Sequence, residues 1–120
     1  AGIVKYNDKF YTIVLKRFLK NGDTIRAIHN KSFTKKLSQF FCDIYETFNF
    51  YGPINIQFKL WKDKPYIYEI NPRLSGTTYI RTFFGFNDID ILMSNLVLKK
   101  INKLKLNNGE VLRYYDEKKI

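Results

Sequence analysis

Five polar side chains with alternating spacing are the clearest candidates for chemistry in this sequence. Glu69, Asn71 and Arg73 follow one another at every second position, and so do Asn55 and Gln57. Successive side chains of a β-strand point to opposite faces, so each set would share one face at a spacing of about 6.6 Å. Carboxylate and amide oxygens are ligands that Mg²⁺ accepts, and arginine forms paired hydrogen bonds with phosphate. The pattern indicates a site for a divalent cation that carries phosphate.

The pairing of the two strands decides whether these side chains form a single patch. If a three-residue turn at residues 62–64 joins the strands, Gln57 lies opposite Glu69 and Asn55 lies opposite Asn71. A two-residue turn would shift the pairing by one residue and scatter the set, because such a shift exchanges the two faces. We favour the three-residue turn because it collects apolar side chains on the other, core-facing side: Ile56, Phe58, Tyr68 and Ile70.

The segment that follows the second strand has a composition suited to binding an anion. Ser75-Gly76-Thr77-Thr78 offers backbone N–H groups and hydroxyls at a turn or at the start of a helix. The same residues are equally typical of an amphipathic hairpin with a solvated polar face and a glycine turn. From these residues alone, a binding site and a plain surface hairpin both stay open.

Apolar periodicity predicts the elements that must position these residues. We expect strands at 10–18, 24–28, 54–61, 65–70 and 110–115, and helices at 33–48 and 87–100. Ser32 or Thr34 would cap the first helix and Gly52 with Pro53 would stop the chain after it, whereas Asn87 or Asp88 would cap the second helix. Lys99 and Lys100 suit the C-terminus of that second helix. The order β-β-α-β-β-α-β predicts an α+β fold, a mainly antiparallel sheet with helices packed on one face.

Composition excludes several classes of protein. The 120 residues, 45% of them apolar, are enough for one domain with a core of its own. Cys42 and His29 are the only residues of their types, so neither an intrachain disulfide nor a cysteine- or histidine-rich metal site is possible. No apolar stretch is long enough to span a membrane, and we expect a cytoplasmic protein. The net charge of +10 is compatible with nucleic acid as a partner but does not establish it.

Three short motifs in the second half of the chain resemble one enzyme family. They read GPINIQ at 52–57, EINPRLSGT at 69–77 and FGF at 84–86. In type, order and spacing they are similar to the C-terminal part of an ATP-grasp domain, closest to the type found in the large subunit of carbamoyl-phosphate synthase. The resemblance is specific from residue 52 to about 98, and a looser match to the preceding hairpin extends it over most of the chain.

The resemblance implies a cofactor, a reaction and a role for each residue. ATP-grasp enzymes use ATP and Mg²⁺ (or Mn²⁺) to join a carboxylate or bicarbonate to an amine-type nucleophile through an acyl phosphate. Glu69 would bridge two metal ions, Gln57 would hold one and Asn71 the other, while Arg73 would be the catalytic contact to the transferring phosphate. The remaining nucleotide and substrate contacts would come from Asn55, Arg73 and Ser75.

The family's adenine-binding lobe has no counterpart in this sequence. We therefore expect residues 1–120 to be a single domain cut from a longer ATP-grasp ligase, to need the rest of the parent polypeptide as its partner, and to be inactive alone. A degenerate ATP-grasp domain used only for assembly stays possible. The alternative from another class is a basic module that binds single-stranded nucleic acid through lysines and exposed aromatic residues, drawn from Tyr6, Tyr11, Trp61, Tyr66 and Tyr79.

Overall fold

Two antiparallel β-sheets and three helices form the structure, a computed structural model that describes residues 1–97, 101 and 104–114. The elements in chain order are β1 (Gly2–Tyr6), β2 (Lys9–Ile13), β3 (Leu15–Lys20), β4 (Asp23–His29), α1 (Lys31–Thr47), β5 (Ile54–Trp61), β6 (Lys64–Asn71), α2 (Thr78–Thr82), α3 (Asp88–Leu96) and β7 (Gly109–Leu112). One sheet has the order β2-β1-β5-β6 and the other β3-β4-β7. The predicted α+β class with antiparallel pairing is confirmed.

The long strand predicted at 10–18 is in fact two strands that belong to different sheets. The break falls at Val14, whose backbone N–H donates to the hydroxyl of Thr34 at 3.1 Å instead of joining a ladder. The prediction also missed β1 and the short helix α2. β1 lies in the middle of its sheet between β2 and β5, so the strand that the prediction missed is central to the fold.

Helix α1 begins and ends slightly earlier than predicted. Its N-cap is Asn30, whose side chain accepts from the Phe33 N–H at 3.2 Å, and the predicted caps Ser32 and Thr34 are therefore wrong. Thr34 is buried and uses its hydroxyl inside the protein. The helix ends well before Gly52, because Asn49 adopts a left-handed conformation (φ 49°) and closes the last turn.

The predicted N-cap of the second long helix is confirmed. Asn87 precedes α3, and its side chain accepts from the Asp90 N–H at 3.2 Å. The predicted C-terminal residues Lys99 and Lys100 lie outside the described residues. So does Tyr115, the predicted end of the last strand, which in the structure runs from Gly109 to Leu112.

The core consists of two clusters that share strand β1. Ile3 packs with residues of α1, whereas its neighbour Val4 packs with residues of α2 and α3. Because neighbouring side chains of a strand point to opposite faces, α1 covers one face of the four-stranded sheet and α2 with α3 cover the other. The expectation that the helices pack on a single face is therefore corrected, because they cover both faces of the four-stranded sheet. In this sheet β5 is paired with the central strand β1, and β6 forms one edge.

Candidate functional site

The pairing of β5 with β6 brings the predicted polar residues opposite one another. Gln57 lies across from Glu69 and Asn55 across from Asn71, as predicted. The turn, however, contains only two residues, Lys62 and Asp63, and both have positive φ (46° and 62°). The predicted three-residue turn is wrong, although the pairing deduced from it is correct.

A β-bulge at Tyr68 explains why the two-residue turn does not scatter the polar set. Phe58 pairs with Ile67, whereas Gln57 pairs with Glu69, so Tyr68 is an extra residue between two paired ones. We predicted Tyr68 to point into the core, but its side chain is 57% exposed. Ile67 takes that place and packs with the cluster under α1. One inserted residue thus exchanges which side of β6 faces the core near the turn.

Three predicted metal ligands form a hydrogen-bonded group on this hairpin. The Gln57 amide N–H donates to one carboxylate oxygen of Glu69. The Asn71 amide donates to the other carboxylate oxygen at 2.7 Å. The structure therefore brings the predicted set within reach of one small ligand. We call these three residues the carboxylate cluster.

Arg17 reaches the carboxylate cluster from the other sheet. Its guanidinium donates to the amide oxygen of Gln57 at 2.6 Å, although the two residues are 40 positions apart. Sequence reasoning did not place Arg17 at the site. The signal was the alternation Leu15, Arg17, Leu19 along β3, which puts one guanidinium within an apolar face.

Asn55, two residues before Gln57, belongs to a second and fully buried group. Its amide oxygen accepts from Arg81 at 2.7 Å, and Arg81 also donates to Asp88 at 2.6 Å. Arg81 and Asp88 are 2% and 0% exposed. Burial raises the pKa of the Asp88 carboxyl, and the neighbouring Arg81 charge opposes that rise. We call these three residues the buried arginine cluster.

The remaining predicted residues, Arg73 and Ser75, follow β6 and contact neither cluster. The Arg73 guanidinium is exposed and donates to the carbonyl of Leu74 at 3.0 Å. The Ser75 hydroxyl bonds with that of Thr77 at 2.7 Å and accepts from the Thr77 N–H at 3.1 Å, so it closes its own loop. In this arrangement the described hydrogen bonds of Arg73 and Ser75 do not involve Glu69.

A cavity of about 730 Å³ opens between the two sheets beside the carboxylate cluster. Gln57 and Asn55 contribute to its wall from β5, and Arg17 contributes from β3. Four basic side chains line it, and its described lining contains no Asp or Glu: Lys16, Arg17, Lys59 and Arg81. The rest of the wall is mostly apolar, with side chains such as Leu15, Phe33 and Phe58. An anion with an apolar part is the ligand that such a wall favours.

The donor set at the carboxylate cluster suits a hard cation. Among residues 1–97, 101 and 104–114, no three His, Cys, Asp or Glu side chains come together as a metal site. At the carboxylate cluster, Glu69 lies beside the amides of Gln57 and Asn71. Carboxylate and amide oxygens match Mg²⁺, which usually keeps few protein ligands and takes the rest from water and phosphate. The amide nitrogens of Gln57 and Asn71 face Glu69. Each amide must therefore rotate before its oxygen can bind a metal ion beside Glu69.

Comparison with known proteins places the chain in the ATP-grasp class. A family model described as "ATP-grasp in the biosynthetic pathway with Ter operon" matches residues 2–117. Because the match covers almost the entire chain, the protein belongs to that family. No curated protein matches the chain.

Solved structures share the fold at low sequence identity. The phosphoribosylaminoimidazole carboxylase ATPase subunit from Aquifex aeolicus has a TM-score of 0.70 at 17% identity, over 88% of this chain and 34% of that one. N5-carboxyaminoimidazole synthetase from Staphylococcus aureus, complexed with ADP, has a TM-score of 0.69 at 13% identity, over 88% of this chain and 31% of that one. A second structure of the latter enzyme gives 0.65 at 14%, over 92% and 30%. The chain thus spans about a third of the length of these proteins.

No helix in the described part of the chain has the length and apolar character needed to cross a membrane.

Proposed function

We propose that this chain is the metal- and phosphate-binding half of an ATP-dependent ligase that joins a carboxylate or bicarbonate to an amine through an acyl phosphate. The observation that carries the proposal is the cavity, whose described wall holds four basic side chains and no acidic one. It adjoins the carboxylate cluster through Gln57. Membership of the ATP-grasp family supports ATP as the ligand.

The cavity wall matches the two chemical parts of a nucleotide. Apolar side chains such as Phe33 and Leu15 suit a base, and Arg17 and Lys59 suit phosphates. Glu69, Gln57 and Asn71 would hold Mg²⁺, and the bound metal would neutralise charge on the phosphates. Positioning and charge neutralisation are most of what phosphoryl transfer requires from a protein.

Asn55 and Arg73 would act on the substrate side. The Asn55 amide oxygen is bound to Arg81, so its nitrogen is the group left to donate to a ligand in the cavity. The exposed Arg73 guanidinium would swing from the Leu74 carbonyl to the transferring phosphate. Ser75 would reach the substrate only if the hydroxyl contacts that close its loop open.

The finer parts of the proposal rest on particular features. An amide at Gln57, where many ATP-grasp enzymes have an acid, supports the carbamoyl-phosphate synthase type. The coverage of about a third of the related structures supports inactivity of this chain alone. A cytoplasmic location is in keeping with the single cysteine.

A paramagnetic titration tests the proposal. Trace Mn²⁺ with ATP is added to the labelled chain, and amide signals are followed by NMR in wild type, in Glu69→Gln and in the control Glu46→Gln. Glu46 is an exposed carboxylate on α1, far in sequence from the carboxylate cluster. We expect broadening around Gln57, Glu69 and Asn71 in wild type and control, and its loss in Glu69→Gln. Broadening that is diffuse or that survives in Glu69→Gln would overturn the metal site.

The nucleic-acid alternative keeps one structural feature in its favour. Trp61, Tyr66 and Tyr79 are exposed by 65%, 54% and 73%, whereas Tyr6 is buried. Exposed aromatic rings stack on unpaired bases, and lysines bind the backbone. Binding of a single-stranded oligonucleotide that falls steeply with salt and ignores Glu69→Gln would favour this function over the ligase.

A further inference from the structure

The amide of Gln57 lies between two groups of opposite hydrogen-bonding character. Arg17 can only donate hydrogen bonds and the ionised Glu69 carboxylate can only accept them. The amide oxygen must therefore face Arg17 and the nitrogen must face Glu69, as the contacts to these two residues show. The orientation of Gln57 is fixed by chemistry on both sides.

This orientation makes Gln57 unready to bind a cation. Metal ions such as Mg²⁺ bind amide oxygens, and the oxygen of Gln57 is the atom that Arg17 covers. Arg17 also puts a positive charge next to the place where a cation would bind. The amide oxygen keeps a second lone pair, but the guanidinium charge beside it opposes a cation, so Gln57 binds a cation better when Arg17 moves away.

Arg17 is free to move towards a better partner. Apart from Gln57, its described side-chain contact is a long hydrogen bond to the Thr24 hydroxyl at 3.4 Å, and no ion pair of Arg17 occurs among the described residues. The guanidinium is half-buried and lines the cavity. An anion in the cavity would offer it a charge-assisted, paired hydrogen bond, which is stronger than its bond to a neutral amide.

We propose that Arg17 is a positioning residue that covers the Gln57 oxygen until an anionic ligand in the cavity draws the guanidinium away. The ligand then has two effects, since it takes the charge of Arg17 and releases a metal ligand. By linkage, a cation bound at Gln57 would strengthen binding of the anion by the same factor. This inference rests on the proposed function, because it assigns Gln57 to a metal and the cavity to a phosphate-bearing ligand.

Opposite changes in two affinities test the inference on the full chain. In Arg17→Met, Mn²⁺ affinity measured by electron paramagnetic resonance without nucleotide should rise about 5-fold, because the hydrogen bond to Gln57 no longer competes. ATP affinity measured with EDTA present should fall about 10-fold or more, because a charged hydrogen bond to phosphate is lost. The NMR signals of the Gln57 side-chain NH₂ should also shift without any ligand.

Lys59→Met is the matched control, because it removes one cavity charge from a residue with no described contact to Gln57. Its Gln57 NH₂ signals should stay unchanged, and its Mn²⁺ affinity should rise less than in Arg17→Met. An equal rise in both variants would mean that charge alone acts, and the inference would be wrong. Unchanged affinities in Arg17→Met would also overturn it. If wild type binds neither Mn²⁺ nor ATP, the proposed function itself fails.

Discussion

Two arginines donate to two side-chain amides on the same strand, and the surroundings of the two pairs differ. Arg81 and Asn55 also line the cavity, but both side chains are buried and Arg81 is in addition paired with Asp88. Arg17 holds Gln57, only two residues further along β5, at the wall of an open cavity. Both bonds have nearly the same length, 2.7 Å and 2.6 Å, so geometry alone does not separate them.

The difference lies in what would replace each bond. Arg81 is only 2% exposed, and its described side-chain partners are Asn55 and Asp88, so breaking these contacts leaves a buried charge unpaired. Arg17 and Gln57 can exchange their partners for water or a ligand at little cost. Loss of Arg81 or Asp88 alone should therefore cost stability, whereas the carboxylate cluster with Arg17 is suited to binding. Mutations can separate these two roles.

Removing Arg81 should have the largest effect. Arg81→Met leaves Asp88 as an unpaired buried charge and should lower the free energy of unfolding by about 3–5 kcal/mol. Urea denaturation followed by circular dichroism measures it. The control Arg26→Met breaks the exposed pair with Glu110 and should change stability little. Equal effects of both variants would contradict the contrast between buried and exposed arginines.

Crowding the same arginine should have a smaller effect. A Cβ at Gly2 would overlap the Arg81 guanidinium, so Gly2→Ala should cost about 1–3 kcal/mol of unfolding free energy. Gly76→Ala is the control, because a Cβ there meets nothing within 4 Å. Thermal unfolding of both variants gives the comparison. A Gly2→Ala protein as stable as Gly76→Ala would show that the buried arginine cluster can shift to make room.

A change at the turn of the β5–β6 hairpin should stabilise the protein. Lys62 and Asp63 adopt left-handed conformations that Asn-Gly favours. Lys62→Asn with Asp63→Gly should therefore raise the free energy of unfolding by about 0.5–1 kcal/mol. Mn²⁺ affinity should stay as in wild type, because the carboxylate cluster lies beyond the bulge. A loss of Mn²⁺ binding would show that the turn and the cluster are coupled.

The smallest effect is expected for the chemical reactivity of the Cys42 thiol. Cys42 lies on α1 and belongs to neither cluster. Burial raises the pKa of its thiol, and the Thr12 hydroxyl at 3.8 Å opposes the rise only in part. A raised pKa leaves less thiolate at pH 8, so iodoacetamide should react more slowly than with a free thiol, and the rate should climb as the pH rises. Arg81→Met should speed this reaction and Glu69→Gln should not. A rate equal to that of glutathione would contradict the burial.

The alternation of polar and apolar residues predicted that Gln57 lies opposite Glu69, and the structure confirms this pairing although it was deduced from a turn of the wrong length. Because Gln57 and Glu69 stand at polar positions of two apolar strands, burial of the other face determines their pairing. The bulge at Tyr68 was not predictable in this way, since nothing in Lys62 and Asp63 marks a left-handed two-residue turn. The metal-binding roles of Gln57 and Glu69 stay a prediction.

The buried arginine cluster could not be predicted from the sequence, for a different reason. Arg81 lies on a five-residue helix with too short a pattern to reveal its face, and arginine is rarely fully buried without a partner. Its partners come from β5 and the start of α3, 26 residues before it and 7 after it. Only the packing of three elements around one side chain shows why a charge is there.

The bulge at Tyr68 also separates the outer end of the β5–β6 hairpin from its inner end. Beyond the bulge, the strands pair in one register up to Trp61 and Lys64, and before it they pair in another at Gln57 and Glu69. The outer end can therefore accept a different turn length or an attached reporter while the inner end keeps its alignment. Trp61, the chain's single tryptophan, lies at that outer end and is exposed. Its fluorescence can therefore report binding of a partner to the hairpin.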